Sequence, residues 1–205
     1  LEFRPDRIEF DGAERQRYRP KPLRPQALAR DGSATVVREA FDGVDVEYRS
    51  MATGLKEDVV LPEGFRDRIP EDASELRIRW HWRGPGLSAA VEERDGRETV
   101  VFRGGDGTTF RLGPVTIYDA DGNVSEGTYG LDAGFVTVKA DAAWLRDPAR
   151  AYPVVVDPTV QLDDVLRYAS LSYYSDGGNW VDPMFAIQFD LTDVAGTDVL
   201  SAVFK

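Results

Sequence analysis

The sequence predicts an all-β protein in which a β-sandwich-like domain is followed by the first strands of a second β-domain, with at most one short helix. Three observations favour this class. Apolar and polar residues alternate with period two, as they do on half-buried strands. Asp-Gly dipeptides, which form tight hairpin turns, recur between these stretches. Helical periodicity is confined to the stretch KADAAWLRDPAR, so alternating βα units are not expected.

Composition indicates a packed protein and excludes several classes of partner. The chain has 205 residues, of which 42% are hydrophobic, enough for a sizeable core. A net charge of −11 disfavours binding to the phosphates of a nucleic acid. Membrane insertion is not expected, because no apolar run approaches the ~20 residues of a spanning helix. The absence of cysteine rules out disulfides and thiolate metal sites.

Residues 1–33 are predicted to form an extended lead-in outside the β-domain, because the segment YRPKPLRPQAL is rich in proline and lacks a period. The β-sandwich-like domain is predicted to cover residues 34–157. Within it, VDVEYRS and ELRIRWHW alternate strictly, and AAVEERDGRETVVF forms a hairpin around Asp95-Gly96. Asp141 is expected to cap the one short helix, which ends before Pro148.

The stretch AYPVVVDPT is predicted to separate two domains. Pro153 and Pro158 cannot donate to a sheet ladder, so they bracket a strand of only a few residues. Asp157 precedes a proline, which favours extended geometry. We therefore interpret Pro153, Asp157 and Pro158 as a rigid inter-domain joint rather than a catalytic site. Residues 158–205 are then the N-terminal part of a second β-domain.

The second domain is expected to leave an open sheet edge, since residues 158–205 supply only its first strands. An unpaired edge is a template for another strand. We therefore expect self-association, or a strand received from elsewhere, at that edge, and we expect the chain to be a piece of a longer protein.

No catalytic residue is assigned, and the protein is not expected to be an enzyme. His81 is the single histidine and lies on the charged side of an alternating strand, where a surface histidine is a simpler interpretation than a general base. The 36 acidic residues always offer carboxylate pairs, so only geometry can identify a hydrolytic pair.

Two further kinds of site stay open. Asp119, Asp121 and Asn123 in DADGNVSEG alternate like the oxygen ligands of a calcium loop, although a plain hairpin turn fits the flanking strands better. Calcium is the one possible cofactor. An intramolecular amide cross-link needs a buried lysine beside a carboxyl group, and Lys56 and Lys139 are the lysines within predicted strands, where a solvated lysine is the default.

An aromatic cluster is the candidate glycan site. Its members are Tyr168, Tyr173, Tyr174 and Trp180, which can stack on sugar rings, and ordinary packing within a β-domain is the alternative. A binding function requires Tyr173, Tyr174 and Trp180 to be coplanar and exposed. Burial of these side chains would exclude it.

Three stretches carry a resemblance to a known family. They are EAFDGVDVEYRSMATGLKEDVVLP, DAAWLRDPARAYPVVVDPTV and FAIQFDLTDVAGTDVLSAVF. The second follows the pattern WL-x-D-x-x-R-x-YPV-x-IDPT, with Val156 in place of isoleucine. Together they resemble large exported bacterial cell-surface proteins that carry a DNRLRE domain and often YD or Rhs repeats, like the wall-associated proteins. The third stretch resembles the opening strands of the DNRLRE domain itself.

The resemblance implies an extracellular, all-β region that precedes a jelly-roll-like domain. In that family such domains are associated with adhesion, some relatives bind polysaccharide, and others form stalks or shells for toxin delivery. We therefore expect a non-catalytic structural or adhesive module of a secreted or wall-attached bacterial surface protein. The alternatives are a carbohydrate-binding module of a polysaccharide-active enzyme, and the stalk or shell of a toxin-delivery protein.

Overall fold

The computed structural model describes residues 2–12, 17–21, 28–31, 34–51, 54–105, 107, 109–162, 166–172 and 184–189. The structure is 61% β-strand and 8% helix, and no helix has 7 or more residues, which confirms the all-β class. Within these residues, no helix is long and apolar enough to cross a membrane.

Strands follow one another along almost the whole described chain. They are β1 (Glu2–Phe10), β2 (Arg17–Tyr18), β3 (Leu28–Asp31), β4 (Ala34–Phe41), β5 (Val44–Met51), β6 (Gly54–Leu61), β7 (Glu75–Arg83), β8 (Leu87–Arg94), β9 (Arg97–Gly104), β10 (Thr109–Leu112), β11 (Thr116–Tyr118), β12 (Val124–Glu126), β13 (Thr128–Asp132), β14 (Phe135–Asp141), β15 (Val154–Asp157), β16 (Val160–Leu162), β17 (Leu166–Ser172) and β18 (Met184–Phe189). A 3-10 helix spans Glu63–Arg68, and the α-helix α1 spans Ala142–Arg146.

The short helix α1 forms where the sequence predicts it. The Asp141 carboxylate accepts hydrogen bonds from the backbone N–H groups of Ala143 at 2.7 Å and Trp144 at 3.3 Å, which satisfies two donors of the first turn. The 3-10 helix was not predicted. It buries Phe65, whose ring lies 5.9 Å from that of Phe10.

The strands form two large antiparallel sheets that share one hydrophobic core. The first sheet has the order β13-β14-β7-β1-β2. In the second sheet, β6 is the central strand, with β5, β4 and β3 on one side and both β15 and β16 on the other. Beyond β15 lie β11 and β12, and beyond β16 lie β10, β9 and β8. The rings of Phe3 and Phe102, one from each sheet, pack edge to face at 5.4 Å across the core.

The predicted hairpin around Asp95-Gly96 is confirmed. Arg94 pairs directly with Arg97, so the loop has two residues. Both loop residues have positive φ, 55° at Asp95 and 76° at Gly96, as the favoured two-residue hairpin turn requires. The dipeptide Asp42-Gly43 also forms a two-residue loop, between β4 and β5, but only Gly43 has positive φ there, at 71°.

The prediction that residues 1–33 lie outside the β-domain is wrong for β1. This strand pairs with β7 in the first sheet, and Phe3, Ile8 and Phe10 are buried. The sequence pattern hid the strand because a bulge between Pro5 and Arg7 inserts one extra residue. Core-facing positions are therefore odd-numbered before the bulge and even-numbered after it, and strict period-two alternation is lost.

The predicted joint at Pro153, Asp157 and Pro158 also differs from the structure. Val156 pairs with Val59 and Val160 with Leu55, so β15 and β16 follow β6 in a single register with a short interruption. Proline removes one donor from the ladder without ending the strand. The boundary between residues 157 and 158 is therefore wrong, because the same sheet continues through β16. A second domain after residue 162 stays a prediction, since only β17 and β18 are described there.

The interruption lies where the second sheet divides. β15 and β16 pair with β6 along one edge. Along their other edge, β11 pairs with β15 and β10 pairs with β16. Between these two strands, the Gly113 N–H donates to the Thr159 carbonyl at 2.8 Å. Residues 157–159 thus mark the point from which two arms of the sheet diverge.

Candidate functional site

A cluster of partly buried charged groups lies on β6 and β15, beside the point where Pro158 interrupts the pairing of the strands. Successive side chains on a strand face opposite sides of the sheet. Leu55, Glu57 and Val59 consequently face the core, whereas Lys56 and Asp58 face the other side. The sequence GLKEDVVL carries a signal of this site that the motif search above does not use, because Glu57 alternates with Leu55 and Val59 on the apolar face of the strand.

On the outer face, Lys56 binds two carboxylates. Its Nζ lies 2.8 and 2.9 Å from the two oxygens of Asp58 and 3.1 Å from Oδ2 of Asp157. The Tyr118 hydroxyl lies 3.3 Å from the same Nζ. The hydroxyl of Thr159 donates to the other oxygen of Asp157. The register explains this cluster, because β6, β15 and β11 are neighbours and all of these side chains except that of Thr159 project from them.

This cluster contains three charges, one cation shared by two anions. Burial alone would favour a neutral amine, but the hydrogen bonds and negative charges of Asp58 and Asp157 raise the pKa of Lys56 above its ordinary value. Burial, together with the charge of Asp157, raises the pKa of Asp58, against the effect of the Lys56 contact. The charged lysine is therefore the stable form, and it neutralises the repulsion between the carboxylates.

The same geometry bears on the amide cross-link that the sequence leaves open. Lys56 does lie beside carboxyl groups, whereas Lys139 lies in β14 opposite Arg77 and Thr128. Attack on a carboxyl carbon requires a neutral amine, and the raised pKa of Lys56 disfavours that form. The charged groups of the cluster can hold neighbouring strands together, and the intact mass of the chain tests whether a cross-link forms.

On the inner face, Glu57 is a buried carboxyl group. Its Oε1 accepts hydrogen bonds from the Tyr48 hydroxyl at 3.1 Å and from Trp80 Nε1 at 3.0 Å. The residue is 5% exposed, and burial raises the pKa of Glu57 to about 7. Trp80 belongs to the opposite sheet, so this carboxyl group ties the two sheets together across the core.

A small cavity of about 10 Å³ lies against Glu57. Phe3, Trp80, Leu112 and Pro158 are among the residues that line it. A space of this size holds at most one water molecule, not a substrate. The buried carboxyl group is thus suited to a structural role that depends on pH, rather than to acid–base chemistry on a bound molecule.

The predicted calcium residues form a hydrogen-bonded turn. The side chain of Asp119 is fully buried, and its oxygens accept bonds from the backbone N–H groups of Asp121 at 3.0 Å and Asn123 at 2.8 Å, and from the Asn123 amide at 2.8 Å. Arg150 Nη1 lies 3.4 Å away. Burial opposes ionisation, but the hydrogen bonds from Asn123 and nearby backbone hold the pKa of Asp119 below its ordinary value.

This turn leaves the three residues poorly arranged as metal ligands, because Asp121 and Asn123 are exposed and the Asn123 amide donates to Asp119. No cluster of three or more acidic or histidine side chains that could hold a metal occurs in the part of the chain that the structure describes. The hairpin turn stays the prediction here and calcium the alternative, which a test in solution can distinguish.

The other predicted residues are placed as follows. Tyr168 lies in β17 opposite Gln188, while Tyr173, Tyr174 and Trp180 lie outside the described residues. The exposure and coplanarity required of a glycan platform therefore stay predictions. His81 is exposed on β7, and its ring packs edge-on against Phe135 at 5.3 Å, which fits the surface interpretation.

Comparison of the chain with protein-family models, with curated proteins and with solved structures found no match.

Proposed function

We propose that this chain is a non-catalytic structural or adhesive module of a secreted or wall-attached bacterial surface protein. The observation that supports this most is the use made of its buried charged groups. Lys56 pairs with two carboxylates between neighbouring strands, Glu57 joins the two sheets, and Asp119 holds a turn together. In each case the ionisable group binds another part of the same fold.

The proposed module acts outside the cell and contacts polysaccharide of a cell wall or extracellular matrix. An adhesive module must keep its shape while it holds a ligand that is anchored to another surface. A two-sheet fold with one shared core and internally paired charges suits that task. The sequence resemblance to exported surface proteins favours this function over an intracellular one. Self-association or strand donation at an open edge belongs to the same proposal.

Co-sedimentation with purified Gram-positive cell walls tests the proposal. The 205-residue chain is expected to sediment with walls in a saturable way and to release no soluble reducing sugar from them. Release of sugar would contradict a non-catalytic function. A chain that neither binds walls nor self-associates in analytical ultracentrifugation would contradict the adhesive one.

The carbohydrate-binding alternative is distinguished by substituting one aromatic residue. If Trp180→Ala abolishes binding to an insoluble neutral polysaccharide while the fold persists, the aromatic cluster is the binding surface. Unchanged binding would place the ligand elsewhere on the module.

A further inference from the structure

A groove with three arginines lies at the end of the β8–β9 hairpin. Its volume is about 440 Å³, within the range typical of small-molecule sites. It is lined by Arg94, Asp95, Arg97, Thr99, Arg111 and Pro114. Three of the lining side chains are positive and one is negative, and Glu126 pairs with Arg97 beside the groove, in a chain whose net charge is −11.

The two arginines at the hairpin end are directly opposite each other. Arg94 pairs with Arg97 in the β8–β9 register, and like charges in such a position destabilise a hairpin. Glu93 and Glu98 are also opposite each other, but Glu98 Oε2 accepts the Tyr129 N–H at 2.6 Å. The arginine pair lines an open groove. Glu126 compensates the charge of Arg97 from β12, and an anion placed in the groove would compensate that of Arg94 as well.

The neighbouring strands hold Arg97 in place. Its Nη2 donates to the Val115 carbonyl at 3.3 Å and to the Thr116 hydroxyl at 3.1 Å, and its Nε pairs with Glu126 at 3.0 Å. Arg111 projects from β10 opposite Val101 of β9, on the face that Arg97 and Thr99 share. Thr99 is 2% exposed and forms part of a rigid floor.

The mixture of charges points to a particular class of ligand. A guanidinium group binds a carboxylate with two parallel hydrogen bonds. The Asp95 carboxylate can accept hydrogen bonds from hydroxyl groups, which simple inorganic anions lack. A ligand that carries both an acidic group and hydroxyl groups satisfies both requirements.

We propose that this arginine groove binds an acidic sugar unit of a glycan, with its carboxylate held by Arg94, Arg97 and Arg111 and its hydroxyl groups near Asp95. The inference rests on the proposed function, because it names the class of polysaccharide that the module contacts. A nucleic acid is disfavoured, since its dense charge would meet the negative field of the whole chain. One or two acidic groups need only the local charge of the groove.

A galacturonic acid trisaccharide and its methyl ester are a matched pair of probes, because the ester has nearly the same shape but no charge. Calorimetric titration of the 205-residue chain is expected to show binding of the acid, weakened by added salt, and little binding of the ester. The variant Arg94→Gln/Arg111→Gln is expected to lose roughly tenfold or more in affinity for the acid. Arg38→Gln/Arg83→Gln removes the same two charges from exposed positions on β4 and β7 and serves as the control.

The variant Asp95→Asn provides a test in which affinity should increase, and a loss of folding could not produce that result. It removes the one negative charge of the groove, keeps a carbonyl acceptor, and suits the positive φ at this position. Affinity for the acid is expected to rise roughly two- to fivefold. Equal binding of acid and ester, or no binding of either, would overturn the proposal. If walls still bind in that case, the proposed function stands and only the groove is wrong.

Discussion

Lys56 Nζ lies 3.1 Å from Asp157 Oδ2, so an ion pair joins β6 to the neighbouring strand at the place where Pro158 interrupts the backbone ladder. Proline supplies no N–H, and the ladder loses a hydrogen bond there. On the outer face, Lys56 and Asp157 link β6 and β15 beside this lost hydrogen bond, and β15 and β16 keep the same register with β6. Asp157 therefore acts in the middle of a sheet, within a structural cluster.

Removal of the cation from this cluster should destabilise the fold. In Lys56→Met, the carboxylates of Asp58 and Asp157 remain partly buried without their shared counter-ion. We expect a loss of about 2 kcal/mol in the free energy of unfolding, because an uncompensated buried charge is costly. Urea denaturation at neutral pH measures the change.

Lys139→Met is the matched control for that measurement. Lys139 also lies in a strand but forms no ion pair with any residue in the described ranges. Its substitution should change stability by less than about 0.5 kcal/mol. Equal effects of the two substitutions would show that the Lys56 ion pairs contribute little.

The intact mass of the purified chain should equal the mass of its sequence. An amide bond between Lys56 and Asp157 would form with loss of one water molecule. The raised pKa of Lys56 keeps the amine protonated and therefore unreactive. A mass lower by one water, and restored by Lys56→Met, would establish the cross-link and refute this expectation.

Stability should decrease as the pH rises through the titration of Glu57. Its pKa is about 7 in the folded protein, above the 4.5 of an ordinary glutamate. The proton is thus bound more tightly in the folded state, and this contribution to stability is complete below pH 4.5 and is lost as the pH rises through 7. The full difference amounts to about 3 kcal/mol.

Glu57→Gln isolates this effect. The amide keeps an oxygen that accepts from Tyr48 and Trp80 but has no charge to bury. Thermal unfolding from pH 4.5 to 8 should show the variant losing less stability than the parent chain as the pH rises. Parallel curves for the two proteins would mean that Glu57 does not titrate in this range.

Asp119→Ala should destabilise the turn between β11 and β12. The substitution leaves the backbone N–H groups of Asp121 and Asn123 without their side-chain acceptor, at an expected cost of about 2 kcal/mol. Asp121→Ala removes an exposed carboxylate from the same turn and should be nearly neutral. Thermal unfolding with calcium and with a chelator should give the same midpoint. A calcium-dependent rise that Asp121→Ala abolishes would establish the metal site.

Truncation of Phe3, an aromatic side chain of β1, should destabilise the whole fold. Phe3 is 4% exposed and packs against Phe102 of the opposite sheet. Phe3→Ala is expected to cost about 3 kcal/mol, whereas Val124→Ala, at a position that is 62% exposed, should stay within about 0.5 kcal/mol. Similar small effects at both positions would indicate that β1 is dispensable.

The sequence by itself determined the class of the fold and its local elements. Strand alternation, the Asp95-Gly96 hairpin and the cap at Asp141 depend on residues close together in the chain, so short-range patterns were sufficient to predict them. The like-charged pair Arg94 and Arg97 follows from the same two-residue turn, although its meaning depends on the groove around it.

Only the tertiary structure decided what Asp157, Glu57 and the first ten residues do. The partner of β15 and β16 is β6, about 100 residues earlier, and no local pattern shows that these two short strands share one register. The bulge in β1 becomes evident only from its pairing with β7. Burial in the core between the two sheets raises the pKa of Glu57 to about 7, although the hydrogen bond from Trp80 of the opposite sheet lowers it. Burial and pairing between distant segments set these properties, because both depend on which segments the fold brings together.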